Sequence, residues 1–149
     1  MKKFQFSLDT VLQYKQQRLD ALKAEHAAAV QRVRHQEATV ADAEARYARL
    51  NEEYREKKAE GLLVAEAMTY ETGLQVIENE IRREQERLRE LQRQAETKRA
   101  EMVEARQETA SIEKLREKKM DLYHKELQKS EERFIDDLVG ARQGASLES

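Results

Sequence analysis

The chain has 149 residues, 28 Lys and Arg against 30 Asp and Glu, 39% charged and only 5% aromatic residues, and a mean hydropathy of -0.96. So little apolar surface cannot fill a three-dimensional core, although it can fill a narrow seam between two helices; disorder is the competing reading, and periodicity must decide between them. The net charge of -2 gives no general case for binding nucleic acid, and the lack of cysteine removes disulfides and thiolate metal sites. The opening MKKFQFSLD has no apolar run after its lysines and does not read as a signal peptide. No stretch approaches the roughly 20 apolar residues of a membrane span, so a soluble, cytoplasmic chain is expected.

Proline is absent and the four glycines are Gly61, Gly73, Gly140 and Gly144, leaving residues 1–60 and 74–139 free of the two strongest helix breakers. Helix one is expected over 8–60. Ser7 can serve as its N-cap, Asp9 stands in the first turn, and Phe6 and Val11 have the spacing of a hydrophobic staple. One seam track holds Leu12, Leu19, His26, Val33, Val40, Tyr47 and Tyr54. The other holds Leu8, Lys15, Leu22, Ala29, Gln36, Ala43, Leu50 and Lys57. Alternating steps of three and four residues over so many heptads are the signature of a coiled coil and not of disorder.

The pattern breaks at Gly61-Leu-Leu-Val-Ala-Glu-Ala-Met-Thr-Tyr-Glu-Thr-Gly73, read as a hairpin turn over 61–73. Its Leu62, Leu63, Val64, Met68 and Tyr70 either cap the tip of the coil or meet a partner. Helix two is expected over 74–139, with the heptad Leu74, Ile77, Ile81, Glu84, Leu88, Leu91, Ala95, Lys98, Met102, Ala105, Thr109 and Ile112. After Ile112 the phase slips: Leu115 and Leu122 lie on one track, and Met120, Leu127 and Phe134 on another. Residues 140–149 read as a disordered tail.

These elements predict an all-α fold, a single coiled-coil domain over 1–149 built as a long antiparallel two-helix hairpin with the second helix longer than the first. A straight parallel dimer through Gly61 and Gly73 is the alternative; two glycines flanking a non-heptad segment favour the hairpin. A turn centred near Glu66 sets Leu8 opposite residue 124 and leaves an overhang carrying Leu127, Phe134, Ile135, Leu138 and Val139. Residues 1–24 hold five basic and two acidic residues, and residues 114–125 hold the same numbers, so the open end of the hairpin is basic on a chain that is acidic overall. Such a zone suits a partner with an acidic surface.

Nothing in the sequence points to catalysis. A two-helix fold offers no concave site with convergent polar groups. His26, His35 and His124 form no H-x3-H pair and no HExxH, and there is no glycine-rich phosphate loop, so neither a metal nor a cofactor is expected. His26 falls on the seam, where a polar residue more often sets register. Of the tyrosines, Tyr47 and Tyr54 are seam residues, Tyr14 lies off it, Tyr123 falls in the phase slip, and Tyr70, in the turn, is the best candidate for a surface contact.

Three patches carry a family resemblance. The opening FQFSLDTVLQYKQQRLD, with Leu8, Val11-Leu12 and Arg18, resembles the start of the FliJ family of flagellar type III export proteins. IEKLREKKMDLYHKELQKSEERFIDDL resembles that family's second signature through Lys114-Leu115, Lys118-Lys119, Tyr123, Glu131-Glu132 and Asp136-Asp137-Leu138. Between them, Tyr70, Leu74, Ile77, Ile81 and Gln85 also fit. The resemblance implies a non-enzymatic protein like the central stalk of rotary ATP synthases. Such a protein binds the hexameric flagellar export ATPase, promotes its assembly and activity, and links it to the export gate membrane protein and to export chaperones, peripheral to the membrane only through those partners. Carried onto this chain, the ATPase contact falls at Leu8, Leu12, Leu115, Lys118, Lys119, Tyr123, Phe134 and Leu138, and the gate contact at Tyr70, Leu74, Ile77 and Ile81. Gly73 departs from the family, which can carry a larger apolar residue there. The alternative function is a structural coiled-coil scaffold or filament unrelated to secretion.

Overall fold

The computed structural model describes the backbone of residues 2–148 and the side chains of residues 2–145. It contains two helices, α1 (Asp9–Glu60, 52 residues) and α2 (Val64–Glu148, 85 residues), and no strand among the described residues. The all-α class and the longer second helix follow from the unbroken supply of Ala, Glu, Arg, Lys, Gln and Leu, which cost little in a helix.

Helix α1 begins differently from expectation. Leu8, not Ser7, gives the first intrahelical carbonyl, accepting from the Leu12 amide at 2.8 Å, while the Asp9 amide closes a turn onto the Phe6 carbonyl at 3.1 Å. Phe6 is buried but Val11 is exposed, so the two do not form a staple. Phe6 is instead a core residue. Helix α1 ends at Gly61, whose φ of 104° is a left-handed conformation that costs a glycine nothing. The Gly61 amide then reaches back to the carbonyls of Lys57 and Lys58 at 3.0 and 3.2 Å, satisfying groups the helix end would orphan.

The turn expected over 61–73 is much shorter: only Gly61–Leu63 separate the helices, and α2 begins at Val64 instead of residue 74. The Leu63 carbonyl accepts from the Ala67 amide at 3.0 Å, and Glu66 places negative charge in the first turn. Gly73 does not break α2. An added Cβ there would lie 3.2 Å from Leu50 Cδ2, so the missing side chain admits Leu50. Residues 140–148, expected as a disordered tail, continue α2. No proline stops it, and each glycine costs only about 1 kcal/mol against alanine; Ser149 lies outside the described residues.

Contacts divide the chain, expected to be one domain, into two compact units: residues 20–103, and residues 1–19 with 104–149. In the first, α1 and α2 pack antiparallel about the short turn. Cross-helix partners are Glu25–Lys98, Gln36–Glu84, Arg46–Glu80 and Tyr54–Glu71. The core holds Leu22, Ala29, Gln36, Val40, Ala43, Tyr54 and Leu91, while His26, Val33, Tyr47, Leu50, Leu74, Ile77, Ile81, Glu84, Leu88, Ala95, Lys98 and Met102 are half-buried. These are the two seam tracks of the heptad; only Lys57 is exposed.

In the second unit the same pairing joins Lys15 to Glu108, Asp9 to Arg116 and Lys2 to Tyr123. The turn centre at Leu62 shifts the register from that expected: Asp9 lies against Arg116, so Leu8 cannot face residue 124. Phe6, Leu12, Leu19, Ala105 and Thr109 are buried. Beyond Thr109 the covered positions are 110, 112, 116, 120, 123 and 127, with two consecutive four-residue steps from 112 to 120, while Leu115 and Leu122, expected on one track, are exposed. That is the phase slip, an 11-residue 3-4-4 spacing which locally relaxes a left-handed supercoil.

Candidate interaction surfaces

Both units are thin. Ala43 is 0% and Ala29 1% exposed, yet among the described residues no large side chain is fully enclosed. The seam is therefore finished by polar groups. In the turn-bearing unit, Gln36 is buried and donates to the Glu84 backbone oxygen at 3.0 Å and to its carboxylate at 2.5 Å. Arg46 spans the seam to Glu80 with bonds of 2.6 and 3.1 Å, which holds the Glu80 carboxyl below its ordinary range and raises the guanidinium. Lys98 donates to Glu25 at 3.0 Å, a bond that raises the ammonium, with Glu101 adding to the effect.

Near the turn, the Tyr54 and Tyr70 rings stack with centroids 5.1 Å apart and planes 7° from parallel. Tyr54 donates to Glu71 and Tyr70 to Glu53, each at 3.1 Å, and Lys58 lies 3.9 Å over the Tyr54 ring. Partial burial, then the Glu53 bond, push the Tyr70 phenol up. Tyr70, the expected surface contact, is thus half-buried. Leu74, Ile77 and Ile81 share its seam-facing side. The exposed apolar residues here are Leu63, Val64, Met68 and Val76. Val76 carries no signal of its own in the sequence; once 61–73 is known to be mostly helix, it lies about 100° around α2 from Ile77, on the side turned away from the seam.

In the terminal unit an extended segment precedes α1 and lies along α2. Tyr123 donates to the Lys2 carbonyl at 2.8 Å, its ring meets Phe4 at 5.6 Å, and the Arg116 guanidinium lies 5.5 Å from the Phe4 ring while bonding Asp9 at 3.1 Å. Lys2, Lys3, Phe4, Lys119, Leu122 and Tyr123 line an open hollow there. The alternation Phe4-x-Phe6 ahead of Ser7, an extended-chain spacing, is the signal that would have found this strap. Residues 2–19 hold four basic residues against Asp9, and 114–125 hold five against two acids, so this unit gathers a basic collar. Lys118 and Lys119 are exposed and Leu115 is partly so. Leu8 and Tyr123 are half-buried, and Leu12 is core, closed to any partner while α1 and α2 stay paired.

From residue 128 to residue 145 every α2 side chain is exposed, Phe134 at 65% and Leu138 at 52%. His35 and His124 are exposed and His26 half-buried. Among the described residues there is no cluster of potential metal ligands and no helix long and apolar enough to cross a membrane.

Comparison with curated proteins and with solved structures gives no match. A protein-family model described as the flagellar FliJ protein matches residues 4–146, taking in both units from the Phe4 strap to the exposed end of α2. With nearly its whole length matched, the chain belongs to the FliJ family, whose members are non-catalytic components of the flagellar protein export apparatus.

Proposed function

We propose that this chain binds the hexameric flagellar export ATPase through its terminal unit, as a central stalk that promotes ring assembly and ATP hydrolysis on the cytoplasmic side of the membrane. The observation that carries the reading is the basic collar set beside exposed apolar positions of α2: Lys118, Lys119, Leu115 and the strap around Tyr123, followed by Phe134 and Leu138. Exposed lysines give long-range attraction to an acidic rim and the apolar side chains give short-range burial, a pairing that favours fast, salt-sensitive association. Leu8 and Leu12 support this surface from beneath. Mixing the chain with the cognate ATPase raises the hexamer fraction and the rate of ATP hydrolysis, and Lys118→Glu with Lys119→Glu lowers both effects; no change in either quantity on mixing refutes the reading.

The export gate contact falls on the turn-bearing unit. Tyr70, Leu74, Ile77 and Ile81 hold α2 against α1 and thereby present Val64, Met68 and Val76 outward. Export chaperones are the remaining partner class. In pull-downs with the gate protein, Met68→Asp with Val76→Asp abolishes gate binding and leaves ATPase stimulation intact.

A further inference from the structure

The exposed end of α2 has a pattern that neither a stalk nor a seam requires. Residues 131–142 read Glu-x-x-Phe-Ile-x-x-Leu-Val-x-x-Arg. About a point between Asp136 and Asp137 the pattern is self-complementary: Phe134 mirrors Val139, Ile135 mirrors Leu138, and Glu131 mirrors Arg142. On a helix of about 100° per residue, Phe134, Leu138, Ile135 and Val139 span one face, Glu131 and Arg142 project from the middle of that face, and Asp136 and Asp137 lie about 130° away from its centre. A two-fold interface needs this arrangement, in which whatever one copy presents at a distance from the axis the other copy must complement.

We propose that residues 128–145 of α2 pair antiparallel with the same segment of a second copy of this chain. The pairing layers Ile135 of each copy on Leu138 of the other, flanks that layer with Phe134 and Val139 along the two edges, and sets two Glu131–Arg142 ion pairs at the ends. Charge complementarity selects this occupant: a parallel copy would place Glu131 against Glu131 and Arg142 against Arg142, which repel. The window also lies beyond Lys2–Tyr123, where the strap ends, so it is open to a second helix. Covering Phe134, Ile135, Leu138 and Val139, now 65, 57, 52 and 48% exposed, with the stems of Glu131 and Arg142, buries roughly 1,000–1,200 Å² over both copies. That is the low end for a specific interface, so the dimer is weak and concentration-dependent. Phe134 and Leu138 are also assigned above to the ATPase. On that reading, the paired form is one withheld from the ring, while the self-pairing itself does not depend on it.

Sedimentation equilibrium of the full chain without ATPase, from about 1 µM to about 500 µM, is the test. Expected is a monomer–dimer equilibrium that Glu131→Arg or Arg142→Glu weakens at least about tenfold and that the double exchange restores to within about threefold. Because the chain has no cysteine, orientation is read by mixing Ile135→Cys and Leu138→Cys chains: the mixed 135–138 disulfide forms in preference to 135–135 and 138–138. A chain monomeric throughout, a double exchange no better than the singles, or a preference for like disulfides overturns the proposal. Loss of ATPase stimulation with self-association intact would refute the stalk reading and leave this one standing.

Discussion

The sharpest test of the seam is its one buried amide. Gln36 is 5% exposed and spends its Nε2 on both the backbone oxygen and the carboxylate of Glu84. Replacing Gln36 with Leu removes a charge-assisted hydrogen bond of about 1.5–3 kcal/mol and sets an apolar side chain against a half-buried carboxylate, while burial of Leu returns about 1.5–2 kcal/mol. The net cost is about 1 kcal/mol, because Glu84 can still turn toward water. Replacing both Gln36 and Glu84 with Leu removes the polar layer whole and leaves two apolar residues facing each other. Exchanges of this kind stabilise by about 1–4 kcal/mol, so about 2 kcal/mol is expected here. For a chain of this size 1 kcal/mol moves Tm by about 2–4 °C. Circular dichroism at 222 nm should therefore show Gln36→Leu melting about 3 °C lower and the double variant about 6 °C higher. A Gln36→Leu variant as stable as the double would show that the two side chains do not act as a pair, and the register argument built on them would fail.

Other consequences can be checked in the same way. Ala43, wholly buried, has no room for larger groups, so Ala43→Leu forces the helices apart and costs about 1–3 kcal/mol in urea unfolding. Tyr123→Phe removes the bond to the Lys2 carbonyl while keeping the ring on Phe4, so hydrogen exchange at residues 3–6 speeds up while exchange in the turn-bearing unit is unchanged. Glu80, whose folded carboxyl is held below its ordinary 4.5, contributes stability that is complete above pH about 4.5 and lost as the pH falls through the depressed folded value; Glu80→Gln flattens the acid limb of a stability–pH profile in that window. Lys15 runs the opposite way: Glu108 raises its ammonium above 10.5, so its contribution is present below pH about 10.5 and is lost as the pH rises through the folded value, a loss absent from Lys15→Met.

How much of this was legible in the sequence depended on which physical signal each feature leaves. The seam was legible residue by residue, Leu12, Leu22, Ala29, Gln36, Ala43 and Tyr54 among them, because burial against one partner helix imposes alternating steps of three and four that any reading frame detects. The turn was not. Gly61 and Gly73 look alike as letters, yet one adopts a φ of 104° while the other is a helical residue whose missing side chain makes space for Leu50. That difference lies in the neighbour across the seam, which no local pattern contains. Reading both as breakers lengthened the turn and moved its centre from Leu62 to Glu66. The same error set Leu8 opposite residue 124 where Asp9 in fact meets Arg116. For the expected interaction residues, exposure was the property the sequence left open. Tyr70 and Leu12 are large and sit in family-like patches, and size gives no information about which side of a helix is free. Burial separates the groups: Leu12 is core, Tyr70 is stacked on Tyr54, and Phe134 and Leu138 are open. Those last two were recoverable without coordinates by counting alone, since helix two outruns helix one whichever glycine makes the turn. Conclusions that rest on unequal helix lengths survive an error in the turn, whereas those that rest on register do not, and the terminal surface is the stronger candidate for that reason.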